Sequence, residues 1–461
     1  MVELVELSEE YLIRVENLKK HFPLKKGFFQ TLLSRDELTV KAVDGISFGL
    51  RKGEIFGLAG ESGSGKTTTG RLLVKLTDPT EGAVYFEGKD ITLALRPKLK
   101  TLGKVAKGTV CLVAGCGREA KKSISPTDVS RAGIEASVSG EKAYLCTIHF
   151  KEVRKKLTAR PRLKTVGKVE HGAKCSIVGC TRLAKKSVLP QDISGSGAQT
   201  SSSNGYLCNV HFKEVEKNLY GWRNLKDLRR MMQIVFQDPF ESLDPRMSIK
   251  EIVAEPVRVQ KVAKNEAEVE ARVKAAMSDV ELVPPENFLY RFPHELSGGQ
   301  RQRVAVARAF VLDPKFVVAD EPVSMLDVSI RAEILNLMVD LVQKRGTSII
   351  FITHDLAVAK HICDRIAVMY LGKIMEMSDS ANLIDAPLHP YTQALIAAVP
   401  SVDPSQRRGD VISGEIPSPV YPPPGCRFNT RCPYAHTRCT TEEPPLLEVE
   451  KGHFVACHLY T

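Results

Sequence analysis

The loop Gly60-Glu61-Ser62-Gly63-Ser64-Gly65-Lys66-Thr67, continued by Thr68, admits few folds. Its spacing is that of a phosphate-binding turn between a strand and a helix. The glycines let backbone amides wrap the phosphates, Lys66 neutralises the outer ones, and the Thr67 hydroxyl can ligate Mg²⁺. The apolar run 53–59 reads as the strand feeding the loop, and 40–50 as an earlier strand. A second glycine site, Leu296-Ser297-Gly298-Gly299-Gln300, opens another helix. Adjacent glycines at a helix start leave amides pointing outward with the positive dipole end behind them, and such a site wants an anion. The chain already has a phosphate loop of its own, so the second site suits another chain's nucleotide.

At 461 residues the chain exceeds one ordinary core. Hydrophobic residues at 43% and charged residues at 26% describe a globular protein. No run reaches the roughly 18 apolar residues that span a bilayer. The start, Met1-Val2-Glu3-Leu4-Val5-Glu6, is acidic and lacks an apolar signal core, so export is not expected. Any work at a membrane would run through a partner, from the cytoplasmic side.

Between Arg96 and Gly221 the excess of basic over acidic residues is larger than the whole chain's +11. The basic character therefore belongs to this segment, which is an internal repeat. Leu99-Lys100-Thr101-Leu102-Gly103-Lys104-Val105 returns as Leu163-Lys164-Thr165-Val166-Gly167-Lys168-Val169, and Tyr144-Leu145-Cys146 returns as Tyr206-Leu207-Cys208. Each copy carries C-x4-C, a spacer of 29 or 27 residues, then C-x2-H. The two sets are Cys111, Cys116, Cys146, His149 and Cys175, Cys180, Cys208, His211. Three thiolates and one imidazole form a common tetrahedral Zn²⁺ set. Iron, or ligands shared between copies, are the alternatives. The spacers at 137–140 and 195–205 read as flexible loops. The basic faces are either merely solvated or suited to nucleic acid or anionic lipid. Without the insert, 84–91 leads directly into 225–230, so it emerges from a surface connection, where long insertions are tolerated.

Arg301-Gln302-Arg303 continues the second glycine helix, and the apolar strand 316–320 ends in Asp320-Glu321. With the phosphate loop, this order resembles the ATP-binding cassette (ABC) family, in which two subunits sandwich ATP. The resemblance implies an α/β fold, a P-loop ABC-type nucleotide-binding domain: a parallel-sheet core with an antiparallel β subdomain and an α-helical subdomain. It implies that Phe22 stacks on adenine, although a lone aromatic there could equally be core. Gln237 then contacts Mg²⁺ or the attacking water, Asp320 holds Mg²⁺ through water, and Glu321 deprotonates that water. His354 contacts the γ-phosphate. Ser297, Gly298, Gly299 and Gln300 face the partner subunit's ATP, and Asp327, in Ser324-Met325-Leu326-Asp327, runs across to it. Met325 stands where the family more often has Ala.

The tail narrows the resemblance. His389-Pro390-Tyr391-Thr392-Gln393, then Gly414-Glu415-Ile416-Pro417, then Gly425-Cys426-Arg427-Phe428 and Arg431-Cys432-Pro433 resemble the ATPase subunits of oligopeptide/dipeptide importers. Cys426, Cys432, Cys439 and Cys457 close this tail, and the resemblance implies a [4Fe–4S] cluster there; four thiolates suit that or zinc. Cys363 stands alone and is expected to be a buried apolar residue.

The implied machine pairs two cassettes on ATP. It works with two transmembrane permease subunits, a second, paralogous ABC ATPase and an external substrate-binding protein, at the cytoplasmic face of the cell membrane. The alternative is a DNA-associated ABC ATPase using the basic insert; the importer-type tail and the single cassette speak against it. The expected organisation is a first cassette part at 10–95, inserted zinc-ribbon-like Cys/His modules at 96–161 and 162–221, the cassette remainder at 222–385, and a four-cysteine C-terminal region at 386–461 forming a small metal-stapled lobe.

Overall fold

The computed structural model describes residues 11–24, 39–92, 105, 109–113, 116–124, 143–151, 169, 173–188, 206–211, 225–398 and 414–461. They divide into two compact units, one of residues 1–88 with 226–461 and the other of residues 89–225. Among the described residues no helix is long and apolar enough to cross a membrane.

The larger unit is organised by one sheet. Five parallel strands lie in the order Met232–Val235, Phe316–Asp320, Ser348–Ile352, Ile55–Ala59, Arg365–Tyr370. Phe316–Asp320, Ser348–Ile352 and Ile55–Ala59 are buried along their whole length, which is why they read as unbroken apolar runs and not as alternation. The helix Lys66–Leu73 lies against this sheet. At Gly70 a Cβ would meet Val318 Cγ1 at 2.8 Å and Ile352 Cδ1 at 2.9 Å, so the glycine sets how closely the helix approaches.

Beyond Arg365–Tyr370 the sheet continues antiparallel through Lys373–Asp379, His453–Val455 and Leu447–Glu450. The strands Leu447–Glu450 and His453–Val455 of the tail are thus part of the main sheet. A separate antiparallel sheet sets Tyr11–Pro23 between Thr39–Arg51 and Glu81–Phe86. Phe48 of that sheet stacks on Phe56 of the parallel one, with ring centroids 5.2 Å apart.

A helical layer follows the strand Met232–Val235. Ile249–Gln260 starts on a reciprocal cap between Ser248 and Glu251, and Glu266–Asp279 on Asn265. Both bury one face: Val253 and Val257 from the first, Val273 and Met277 from the second, in a core shared with Val306 and Phe310 of Gly298–Phe310. Cys363 is buried at 5% exposure, within reach of Gly57, as a small apolar residue would be.

In the smaller unit the duplication is structural as well. Lys122–Ile124 pairs with Ala143–Leu145, and Lys186–Ser187 with Tyr206–Leu207. Cys111 N donates to Arg118 O at 2.8 Å, and Cys175 N to Arg182 O at 2.9 Å. The spacer loops expected at 137–140 and 195–205 lie outside the described residues.

Candidate functional site

The loop 60–68 leaves the C-terminal end of Ile55–Ala59 and is pressed against neighbouring backbone. Gly60 has φ +142° and Gly65 φ +107°; a Cβ on either would sit 2.2 Å from a carbonyl oxygen, of Met369 and Ala42 respectively. Only glycine fits there. Lys66 Nζ donates to Gly60 O at 2.7 Å and Glu61 O at 2.9 Å. Burial lowers the Lys66 pKa, against the pull of Glu321, Asp320 and Glu61.

Three distant stretches, around Gln237, Asp320 and His354, converge beside it. Thr67 Oγ1 donates to Asp320 Oδ1 at 2.8 Å. Burial raises the Asp320 pKa, and the Thr67 hydroxyl opposes that shift. The next residue, Glu321, takes the left-handed conformation at φ +46° and donates its amide to Ile352 O at 3.0 Å. Its Oε2 accepts from Gln237 Nε2 at 3.1 Å and lies 3.2 Å from His354 Nδ1. One carboxylate oxygen thus faces an amide and an imidazole, each able to orient a water molecule between them.

Ser297 begins the helix Gly298–Phe310: its Oγ accepts from Gln300 N at 3.3 Å, while Gln300 Oε1 accepts from Ser297 N at 3.1 Å. An accepting hydroxyl keeps its own proton to donate. Among the described residues no hydrogen bond or ion pair joins Ser297, Gly298, Gly299 or Gln300 to the loop 60–68 of the same chain. Asp327 starts Val328–Arg345 in an exposed position between the exposed side chains of Met325 and Val328. The Phe22 ring is 39% exposed, with Lys20 Nζ 4.9 Å from its centroid, and so is not core.

The cysteines form two kinds of cluster. The ligand atoms of Cys111, Cys116, Cys146 and His149 all lie within 4.8 Å of one another, as do those of Cys175, Cys180, Cys208 and His211. Cys116 Sγ is 3.8 Å from Cys146 Sγ, and His149 Nδ1 is 3.3 Å from Cys111 Sγ. Burial raises the Cys146 thiol pKa, but the backbone amides of His149 and Ile148, with the Cys116 and Cys111 thiols, lower it, and the thiol ends below its usual range. Cys208 repeats this with His211 and Val210. In the tail, burial pushes Cys426 up to about 12, and the thiols of Cys457, Cys439 and Cys432 add to that. Among the described residues, no three of the tail sulfurs gather within 4.8 Å.

The ABC transporter family model matches residues 43–115 and 168–324, and the model of the oligopeptide/dipeptide transporter C-terminal region matches 375–439. The oligopeptide transport ATP-binding protein AppF of Bacillus subtilis is 34% identical over 460 residues, covering 98% of this chain and 99% of that one. The chain belongs to the ABC transporter ATP-binding proteins. A Brucella ovis protein named for peptide import and ATP binding is 35% identical over 452 residues, covering 98% of each chain. This ABC protein is an ATPase. The ABC transporter match breaks between 115 and 168, inside the duplicated insert.

Sequence reasoning gave no role to the side chains that brace the site of this ABC protein. Arg431 forks onto the Glu61 carboxylate, at 2.7 and 3.0 Å, and Tyr391 OH accepts from Glu61 N at 2.9 Å. Arg427 pairs with Asp44, whose other oxygen is 2.8 Å from His21 Nε2, next to Phe22. Arg331 Nε donates to Leu326 O at 2.7 Å, bracing the turn before Asp327. The sequence signal for Arg427 and Arg431 is that each adjoins a tail cysteine within the motifs shared with the importer ATPases.

Proposed function

We propose that this ABC protein is the ATP-hydrolysing subunit of an importer for oligopeptides, dipeptides or related small solutes. It works at the cytoplasmic face of the cell membrane, on two transmembrane permease subunits that receive solute from an external binding protein. A second, paralogous ABC ATPase closes against it. The observation that carries this reading is the convergence of Gln237 and His354 on Glu321 beside the Thr67–Asp320 pair, in a chain whose residues 375–439 match the oligopeptide/dipeptide transporter region.

Lys66 and the amides of the loop 60–68 bind the phosphates, and Phe22 stacks on the adenine. Thr67, Gln237 and, through water, Asp320 would hold Mg²⁺, which when bound supplies charge neutralisation on the phosphates. Glu321 takes the proton of the attacking water, while Gln237 and His354 orient that water and the γ-phosphate. Ser297, Gly298, Gly299 and Gln300, which among the described residues make no hydrogen bond or ion pair with their own loop, bind the ATP of the partner subunit; Asp327 crosses with them. Closure on ATP and reopening after hydrolysis bias the permeases between two states.

The donor sets support two different metal groups. Sulfurs on one tetrahedral zinc stand about 3.8 Å apart, the separation of Cys116 and Cys146, and both insert sets gather within 4.8 Å, so each module holds one Zn²⁺ through three thiolates and one imidazole. The four tail thiols, close enough that those of Cys457, Cys439 and Cys432 act on Cys426, suit a [4Fe–4S] cluster on Cys426, Cys432, Cys439 and Cys457. The test of the importer reading is uptake of a labelled oligopeptide into vesicles carrying the complete complex. ATP-dependent uptake is expected. ATP turnover without uptake of any peptide would overturn the cargo.

A further inference from the structure

Glu61 is the acid inside the phosphate loop, and it is not left to face the phosphates. Arg431 Nη1 and Nη2 engage both of its carboxylate oxygens, at 2.7 and 3.0 Å, and Nη1 also donates to Tyr370 OH at 3.2 Å. The Arg431 side chain is only 5% exposed. Tyr370 and Phe428 flank its guanidinium, with ring centroids 5.7 and 5.9 Å away. Tyr391, whose hydroxyl takes the Glu61 amide, packs on both rings at 4.7 and 5.2 Å. A fork this buried, against a planar carboxylate, fixes direction as well as charge.

Arg431 belongs to the cysteine-bearing turn. Its amide donates to Phe428 O at 3.0 Å, Cys426 N donates to Cys439 O at 2.9 Å, and the Asn429 side chain donates to Pro424 O at 2.7 Å and Cys439 O at 3.1 Å. Gly425, at φ +69°, lies so close to the Cys439 carbonyl that a Cβ would reach it at 2.4 Å. The turn that holds Cys426 against Cys439 is therefore the turn that aims Arg431.

We propose that Arg431 is a positioning residue through which the four-cysteine segment sets the ATP affinity of the phosphate loop. It neutralises the Glu61 carboxylate and turns it off the path of the triphosphate. Without Arg431, an unpaired carboxylate stands within a loop that must accept several negative charges. The proposal rests on the loop 60–68 receiving ATP.

The test measures the Kd of a fluorescent trinitrophenyl-ATP analogue and the KM and kcat of ATP hydrolysis, on the full chain as purified. In R431M, Kd and KM are expected to rise about tenfold with kcat within about twofold. E61Q/R431M is expected to regain most of the lost affinity, because the uncompensated charge is gone. Unchanged affinity in R431M overturns the proposal; so does a loss that E61Q does not repair, which marks Arg431 as packing only. Thermal unfolding checks each variant. If R431M does not fold, R431Q replaces it, and wild-type affinity there overturns the proposal equally. C432S, which loosens the same turn, is expected to weaken binding and to add nothing in the R431M background; an additive loss disconnects the cysteines from Arg431. A wild-type chain that fails to bind the analogue would instead sink the nucleotide reading itself.

Discussion

Thr67 and Asp320, 253 positions apart, meet through a 2.8 Å hydrogen bond from the threonine hydroxyl to Oδ1 of the aspartate. The contact joins the first turn of the phosphate-loop helix to the end of the strand Phe316–Asp320, two strands away in the sheet. Both groups are ordinary Mg²⁺ ligands, and the sheet brings them together before any cation arrives.

The buried Asp320 charge works against the folded, ligand-free chain. Burial raises its pKa, so its contribution to stability is fully present below the ordinary carboxylate range and is lost as pH rises through the raised value. D320N keeps an oxygen for Thr67 and removes the charge. Its melting temperature without nucleotide at pH 7 is expected to equal or exceed wild type by about 1–2 °C, with the difference vanishing at acid pH. The stabilisation that Mg²⁺ and ATP give wild type should be absent. A lower Tm for D320N without ligand would contradict this assignment of charge.

E321Q should lower kcat for phosphate release by about 100-fold or more, the usual cost of losing a general base, while ATP binding stays within a few-fold. His354 and Gln237 meet on this one carboxylate, so H354A added to E321Q should cost little more than E321Q alone. Residual turnover near wild type in E321Q would move the base elsewhere.

Gly299 offers a way to separate the two nucleotide surfaces. A Cβ there would meet Cγ2 of the β-branched Ile330 at 2.7 Å, a side chain stiff at χ1, so thermal unfolding of the variant accompanies the test. G299D puts a negative charge at a helix start meant for the partner's phosphates. In an E321Q background, ATP should drive dimer formation on a sizing column, and G299D should abolish it while ATP binding to the monomer survives. A dimer that persists in G299D would remove this helix from the interface.

Elemental analysis with an absorption spectrum on anaerobically purified protein should find about two zinc and four iron per chain. C146S and C208S should each remove one zinc without touching the iron, and C439S the reverse. Zinc alone, at about three per chain, would make the tail a zinc lobe. Neither metal would overturn the reading of ten cysteines and leave the ATPase intact.

Much of the site was legible because its chemistry is local. A phosphate loop needs its glycines, lysine and threonine within eight positions, and positive φ at Gly60 and Gly65 is written into the residue type. The strands Phe316–Asp320 and Ser348–Ile352 announced themselves as apolar runs because a parallel sheet buries both faces. The repeated Cys/His spacing picked out two sets of four side chains that the fold brings together. The tail was legible only as a motif: Cys426, Cys432, Cys439 and Cys457 could be paired with a metal, but nothing in their spacing showed that His453–Val455 would extend the main sheet.

By itself, then, the sequence determined which residues could do chemistry, since residue type and short spacing decide what can donate, accept or ligate. Only the tertiary structure decided which of them meet. That Gln237 and His354 share one oxygen of Glu321, that each insert's three thiols and imidazole gather within 4.8 Å, and that Arg431 reaches back across 370 positions to Glu61 are consequences of strand order and packing. A long-range contact leaves no periodic trace in a single chain, because its energy depends on partners that the sheet, and not the local sequence, sets side by side.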